Sequence, residues 1–168
     1  MVLVGLPGAG KTTVAAQAAG LLNAPWSDLD DRICARVAKT VEAIFADEGE
    51  ERFRELERAE MEEQITQAPR VIAAGAGWAA CPGNLEAIAG KALVIYLSVD
   101  PAEAARRLTG TTDRPLLRGR VTEAALAELL VAREVWYRLA DIEMSASNAT
   151  PDRVAAAVAI AARQYGGW

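Results

Sequence analysis

The 168-residue sequence contains no histidine, which removes the commonest general base and metal ligand and leaves Asp, Glu and Lys for acid–base chemistry. Its two cysteines, Cys34 and Cys81, lie far apart, so neither a zinc site nor a disulfide framework is implied; both are expected as buried thiols in a reducing compartment. No apolar run reaches the roughly 20 residues a membrane helix needs, and Met1 stands too close to the first motif for a cleaved targeting segment. The expectation is a cytoplasmic protein with no membrane partner. A basic surplus is missing too. The net charge of −5 argues against a nucleic-acid partner, because neutralising a phosphate backbone takes clustered Lys and Arg. Internal repeats, interdomain linkers and low-complexity tracts are also lacking. What remains is 52% apolar and 24% charged, enough for one globular domain over 1–168 with a substantial core and a loose tail at Tyr165 to Trp168.

The strongest positive signal comes first in the chain. Met1 to Val4 reads as a strand and is followed by Gly5-Leu6-Pro7-Gly8-Ala9-Gly10-Lys11-Thr12-Thr13 and an alanine-rich helix to Leu22. This is G-x-x-x-x-G-K-T in strand–loop–helix context, a phosphate-binding loop. Backbone N–H groups can wrap a phosphate only where side chains are absent, and the helix N-terminus presents its positive dipole end to the anion. Gly8, Ala9, Gly10, Lys11, Thr12 and Thr13 are therefore the candidate ATP-binding residues. Lys11 is placed to reach the β- and γ-phosphates, and the Thr12 hydroxyl to ligate a Mg2+ ion bridging them.

Beyond the loop, helix and strand alternate. Val71 to Ala74 and Leu93 to Leu97 are short apolar runs of the kind parallel strands show when helices cover both faces. Ala24 to Ser27 and Ile142 to Ser145 are weaker strands. Helices are predicted at Asp30 to Val37, Val41 to Asp47, Glu50 to Thr66, Pro101 to Leu108, Thr122 to Leu139 and Pro151 to Gln164, with Gly49 ending one of them. The fold class is α/β, a layered domain on a parallel sheet. Thr109 to Val121 reads as the one long loop.

Ligands of open α/β sheets bind beyond the carboxyl ends of the strands, which places Asp28-Leu29-Asp30 beside the phosphate loop. On an extended segment the two carboxylates project to opposite sides. Asp28 would then hold the metal through water while Asp30 accepts a hydroxyl proton. Taken alone, D-x-D ahead of a helix is more often a cap. Arg54 sits on a helix crowded with Glu and Arg, where a solvated face stitched by pairs such as Glu50 with Arg54 is the plainer reading. Arg133 has a similar plain reading. Arg107 and Arg114 flank the start of the long loop and suit closure over a triphosphate.

Taken in order and spacing, these segments resemble shikimate kinase nearly end to end: the Gly-Leu-Pro-Gly-Ala-Gly-Lys-Thr loop, Asp28-x-Asp30, Ile44-Phe45…Gly49-Glu50…Phe53-Arg54…Glu57, Arg114-Pro115-Leu116-Leu117 and Arg133…Tyr137. The resemblance implies a three-layer α/β/α sandwich on a five-stranded parallel sheet, a P-loop fold of nucleoside-monophosphate-kinase type. It implies an acceptor-binding segment near 30–66 and a lid near 109–121. By the same resemblance Asp30 binds acceptor hydroxyls and is the candidate base, Arg54 and Arg133 clamp the shikimate carboxylate, and Gly75, Ala76 and Gly77 approach the acceptor. Arg114 is the lid arginine and, with Lys11 and Asp30, catalytic; Arg107 stacks on adenine and Pro151 walls the base pocket. ATP and shikimate are the implied partners, Mg2+ the implied cofactor, and a chain this small with local sites is expected to work as a monomer.

The family pattern usually shows Gly-Gly-Gly where this chain has Gly75-Ala76-Gly77-Trp78. Ala76 is costly only if its φ is positive, and Trp78 threatens the acceptor pocket only if its indole enters it. Two other readings therefore stay open: a kinase for another hydroxy acid or polyol with a reshaped pocket, and a nucleotide-binding module without turnover.

Overall fold

The computed structural model describes residues 1–108 and 122–168; the expected lid at 109–121, with Arg114, lies outside the described residues. Five parallel strands form the central sheet in the order β2-β3-β1-β4-β5. β1 (Val2–Val4), β3 (Val71–Ala73) and β4 (Val94–Ser98) occupy the middle, with Val2 opposite both Ile72 and Val94. Every residue of β1 and β3 is buried, so both faces of the sheet are covered there. The edge strands β2 (Trp26–Asp28) and β5 (Ile142–Ser145) expose alternate residues. β2 begins two residues later than its sequence pattern predicts and runs into Asp28.

Alanine determines how the first layer packs. Helix α1 (Lys11–Leu22) buries Ala15, Ala18 and Ala19, and α7 (Pro151–Tyr165) buries Ala155, Ala159 and Ala162. Small side chains let the two helices lie close against one another over the sheet. Pro151 takes the first turn of α7, where its missing N–H and fixed φ cost nothing. Helix α2 (Leu29–Val37) follows β2 without a loop and packs on α3 (Val41–Ile65), which is capped by Thr40 and broken at Gly49, φ 85° and ψ 171°. The break separates the two helices predicted from sequence.

A buried polar chain locks α2 and α3 to the sheet edge. Glu60, wholly enclosed, receives Arg32 at 3.0 Å, Arg36 at 3.0 Å and the Gln64 amide at 2.9 Å, and Gln64 in turn accepts the Ser27 hydroxyl. Isolated charge at that depth would be costly, so the partners are what permit it.

Two short elements carry no sequence period and were not predicted: a 3-10 turn at Trp78–Ala80 and helix α4 (Asn84–Ile88). Helix α5 (Pro101–Leu108) starts on the Asp100 carboxylate, which accepts from Ala102 N at 2.9 Å and Glu103 N at 3.2 Å. Helix α6 (Glu123–Tyr137) starts on the Thr122 hydroxyl and ends two residues before its predicted limit. The tail is not loose, because Trp168 folds back onto the core and sits against Gly166.

Candidate active site

The phosphate loop leaves β1 at Gly5 and enters α1 at Lys11. Gly8 has φ 80°, and a Cβ there would lie 2.7 Å from the Ala104 carbonyl oxygen, so α5 presses directly on the loop backbone. Gly10, φ 87°, is the N-cap of α1 and directs the first N–H groups of the helix outward. Lys11 Nζ donates to the Gly5 and Leu6 carbonyls at 2.9 Å each. Gly8, Gly10, Lys11, Thr12 and Thr13 all line a cleft of about 1370 Å3, whereas Ala9 is buried behind them and does not. Its methyl fills core space, and only its backbone belongs to the loop.

Asp28 and Asp30 also border the cleft, but not as an extended pair. The helix begins at Leu29, and Asp28 caps it by accepting the Asp30 N–H at 3.0 Å. The other Asp28 oxygen accepts from Thr12 Oγ1 at 2.7 Å. A cap and a phosphate-loop contact are thus served by one carboxylate, and Asp30 is presented from the first turn of α2.

Beyond β3 the chain runs Gly75-Ala76-Gly77 along the acceptor end. Cβ atoms at the two glycines would strike functional side chains: at Gly75 they would meet Glu57 Oε1 and Asp30 Oδ1, at Gly77 the Arg54 guanidinium at 2.5 to 2.8 Å. Ala76 meets neither problem. It is absent from the positive-φ residues, is half-buried, and lines the cleft. Trp78 is 1% exposed and lies outside the cleft lining, so the indole packs inside the protein instead of filling the pocket. The departure from the glycine triplet therefore adds one methyl to the cleft and no ring.

The arginines are differently placed. Arg54 borders the cleft, donates to Glu57 at 2.5 Å and Glu50 at 2.8 Å, and lies 5.6 Å from the Phe53 ring centre. Arg133 does not line the cleft among the described residues; its Nη1 is buried without a hydrogen-bond partner among them. Glu57 pairs with Arg54 and feels the charge of Arg133. Its side chain is fully enclosed, and burial pushes its carboxyl up to about 7 although Arg54 and Arg133 pull it down; Asp30 adds to the rise. Burial also works against the Arg54 charge, but Glu57 and Glu50 outweigh it and raise the guanidinium. The two neighbours disagree, since Arg54 is held by an ionised Glu57 that burial disfavours. Burial decides the direction for Glu57, because its Oε1 finds no hydrogen-bond partner among the described residues. In the sequence Glu57 enters only as the end of the run Phe53-Arg54…Glu57 that carries the resemblance, with no role attached, and by its spacing of three from Arg54 on one helix.

At the opposite end Arg107 and Pro151 line the cleft. The Arg107 guanidinium bonds the Gly8 carbonyl at 3.3 Å, the Ala146 carbonyl at 2.7 Å and Glu103 at 2.5 Å, which ties α5 to the phosphate loop and the end of β5. Neither cysteine is fully buried, contrary to expectation: Cys34 borders the cleft, and Cys81 donates to the Gly77 carbonyl at 3.4 Å.

No group of three or more Cys, Asp or Glu side chains converges among the described residues. A two-donor set does: the Thr12 hydroxyl and an Asp28 oxygen meet beside the loop. That suits Mg2+, which takes few protein ligands and completes its shell with water and phosphate oxygens.

A phosphate loop at a helix N-terminus, opening into a cleft whose far end carries Asp30 and Arg54, defines a P-loop small-molecule kinase on a nucleoside-monophosphate-kinase-type fold. Comparison with known proteins makes this specific. The family model for shikimate kinase matches residues 7–163, and the chain belongs to that family. It is 39% identical over 158 residues to a shikimate kinase of Thermobifida fusca, covering 94% of this chain and 91% of that protein. Against the shikimate kinase of Limosilactobacillus fermentum it is 38% identical, covering 92% and 90%. The structure of the Acinetobacter baumannii shikimate kinase in complex with shikimate superposes with a TM-score of 0.91 at 30% identity, covering 98% of this chain and 92% of that one. The Aquifex aeolicus enzyme gives 0.82 at 25% identity, covering 99% and 98%.

Proposed function

We propose that the protein transfers the γ-phosphoryl group of ATP to shikimate, forming shikimate 3-phosphate and ADP. The observation that carries this reading is one cleft holding the phosphate loop at one end and Asp30, Arg54 and the Gly75–Gly77 backbone at the other. In this reading the acceptor hydroxyl oxygen bonds to the γ-phosphorus while the bond to the bridging oxygen of ADP breaks, and Asp30 takes the hydroxyl proton. Lys11 stabilises charge spreading onto the phosphoryl oxygens. Arg54 holds the carboxylate from the cleft, and the resemblance adds Arg133 from behind the lining, since guanidinium forks match a planar anion. The resemblance adds Arg114, outside the described residues, as an arginine acting on the transferring group.

Thr12 and Asp28 would hold Mg2+, which when bound neutralises phosphate charge. Arg107 and Pro151 would flank the base of ATP. A monomer is the proposed working form, because a chain this small carries both ends of the cleft. Cytoplasmic placement rests on the family; no described helix is long and apolar enough to cross a membrane. The reshaped-pocket reading loses its motive with Trp78 outside the cleft, and the non-catalytic reading loses its own with Lys11, Thr12, Asp28 and Asp30 all at the cleft. Coupled measurement of ADP release with shikimate, against hydroxy acids and polyols lacking its ring or its carboxylate, is the test. Faster turnover of another acceptor overturns the assignment.

A further inference from the structure

The two ends of the cleft must be held at a fixed separation, because phosphoryl transfer needs the acceptor oxygen in line with the transferred group. One pair of aromatic side chains spans the gap behind the cleft. Tyr96, on β4, lies beside the phosphate-loop strand: it pairs in register with Val4, and a Cβ at Gly5 would sit 3.5 Å from its ring. Tyr137, the last residue of α6, stacks on Tyr96 with centroids 5.2 Å apart and 27° between planes. Its hydroxyl donates to the Ala76 carbonyl at 2.5 Å. Tyr137 is 0% exposed, so its hydroxyl is enclosed, while Ala76 is half-buried at the edge of the cleft. Four residues earlier on α6, and so on the same helix face, stands Arg133.

We infer that Tyr137 is a positioning residue for the acceptor: its ring on Tyr96 and its hydroxyl on Ala76 set the acceptor loop and Arg133 at a defined distance from the phosphate loop. The bond goes to backbone, so it acts at position 76 whatever side chain stands there. That is how the chain keeps the loop aligned with alanine in place of glycine. Glycine at 75 and 77 leaves the segment few side-chain anchors of its own, and among the described residues the Tyr137 bond ties a side chain to the carbonyl between them. The carbonyls on either side are occupied locally, Gly75 by the Trp78 N–H at 3.0 Å and Gly77 by the Ala80 N–H at 3.2 Å and the Cys81 thiol.

This inference rests on the shikimate kinase reading, and the experiment separates the two. Wild-type protein and Tyr137→Phe are compared in steady-state kinetics with shikimate and ATP varied in turn, and the products are quantified as ADP and phosphorylated acceptor. Phenylalanine keeps the ring and removes only the hydroxyl, which bonds Ala76 and also interacts with Arg133. The expected result is a rise of about tenfold in the KM for shikimate, an unchanged KM for ATP, and more ADP released per acceptor phosphorylated. A merely structural role would lower the active fraction and move none of these ratios. An unchanged shikimate KM, or equal changes for both substrates, overturns the inference while leaving the activity assigned. Absence of shikimate turnover in the wild type instead overturns the activity. Independently of any variant, shikimate added to wild-type protein should slow amide hydrogen exchange in residues 75–77 and 133–137 together; protection of one segment without the other also overturns it.

Discussion

Replacing Gly77 with alanine would test whether the glycines of the acceptor loop serve backbone freedom or close approach. Gly77 has φ −92° and ψ −14°, a conformation alanine adopts without strain, so any effect must come from the added methyl. That methyl would stand 2.5 Å from Arg54 Nη2 and 2.7 Å from Nη1. To reach ordinary van der Waals separation the guanidinium must retreat by about 1 Å. Arg54 cannot do so freely, because Glu57 and Glu50 hold it at 2.5 and 2.8 Å and its side chain is only 11% exposed. Either the ion pairs are stretched or the loop is pushed into the cleft. Misplacement of a binding group by about 1 Å is enough to cost on the order of 100-fold. The expected outcome is a KM for shikimate raised about 10- to 100-fold with the KM for ATP within about twofold of wild type. Steady-state kinetics with each substrate varied in turn provide the check, and thermal unfolding confirms that the variant folds. A Gly77→Ala enzyme with wild-type acceptor kinetics would refute the claim that Arg54 packs on this backbone.

The mirror substitution, Ala76→Gly, should change acceptor KM by less than about threefold and lower stability by about 0.5–1 kcal/mol through the unfolded chain; a large kinetic gain would mean that the extra methyl obstructs the pocket. Arg54→Lys should raise the shikimate KM by about tenfold or more, since one ammonium cannot replace a fork that serves Glu50, Glu57 and a carboxylate together; unchanged kinetics would remove Arg54 from the site. Lys11→Ala should lower turnover by about 100-fold or more while the fold survives, and near-normal turnover would contradict the role given to the phosphate loop. Glu57, pushed up to about 7 by burial, loses its proton later than it would in the unfolded chain. Its contribution to stability is therefore full below about pH 4.5 and is lost as pH rises to about 7, on the order of 3 kcal/mol in all. Urea unfolding at pH 5 and pH 8 should show wild type losing more stability than Glu57→Gln across that interval, and a constant difference between the two proteins would refute it.

The central strands were legible because residues buried on both faces must be apolar, as Val2 to Val4 and Val71 to Ala73 are. Edge strands β2 and β5 gave weaker patterns because half of their residues meet solvent or helices of mixed polarity. The 3-10 turn and α4, three and five residues long, are too short for a helical period to accumulate. At the site, the phosphate loop could be read because its chemistry demands a fixed run of residues. The burial of Glu57 could not, since a glutamate three residues after an arginine on a charged helix looks like any surface ion pair until the Gly75 loop is known to lie against it. The fate of Trp78 was equally hidden, because nothing local determines whether an indole after a glycine loop turns toward the ligand or away. Its position follows from long-range packing of the 3-10 turn against α6.

The central claim is that this cleft moves phosphate from ATP to shikimate, and the direct measurement is the acceptor-dependent rate of ADP formation by purified protein with magnesium and ATP. The account predicts a slow background without acceptor, a large saturable increase with shikimate, one ADP per shikimate 3-phosphate formed, and loss of that increase in Arg54→Lys at low shikimate. ADP formation that shikimate does not stimulate, or that a hydroxy acid or polyol lacking its ring or carboxylate stimulates more strongly, would contradict it.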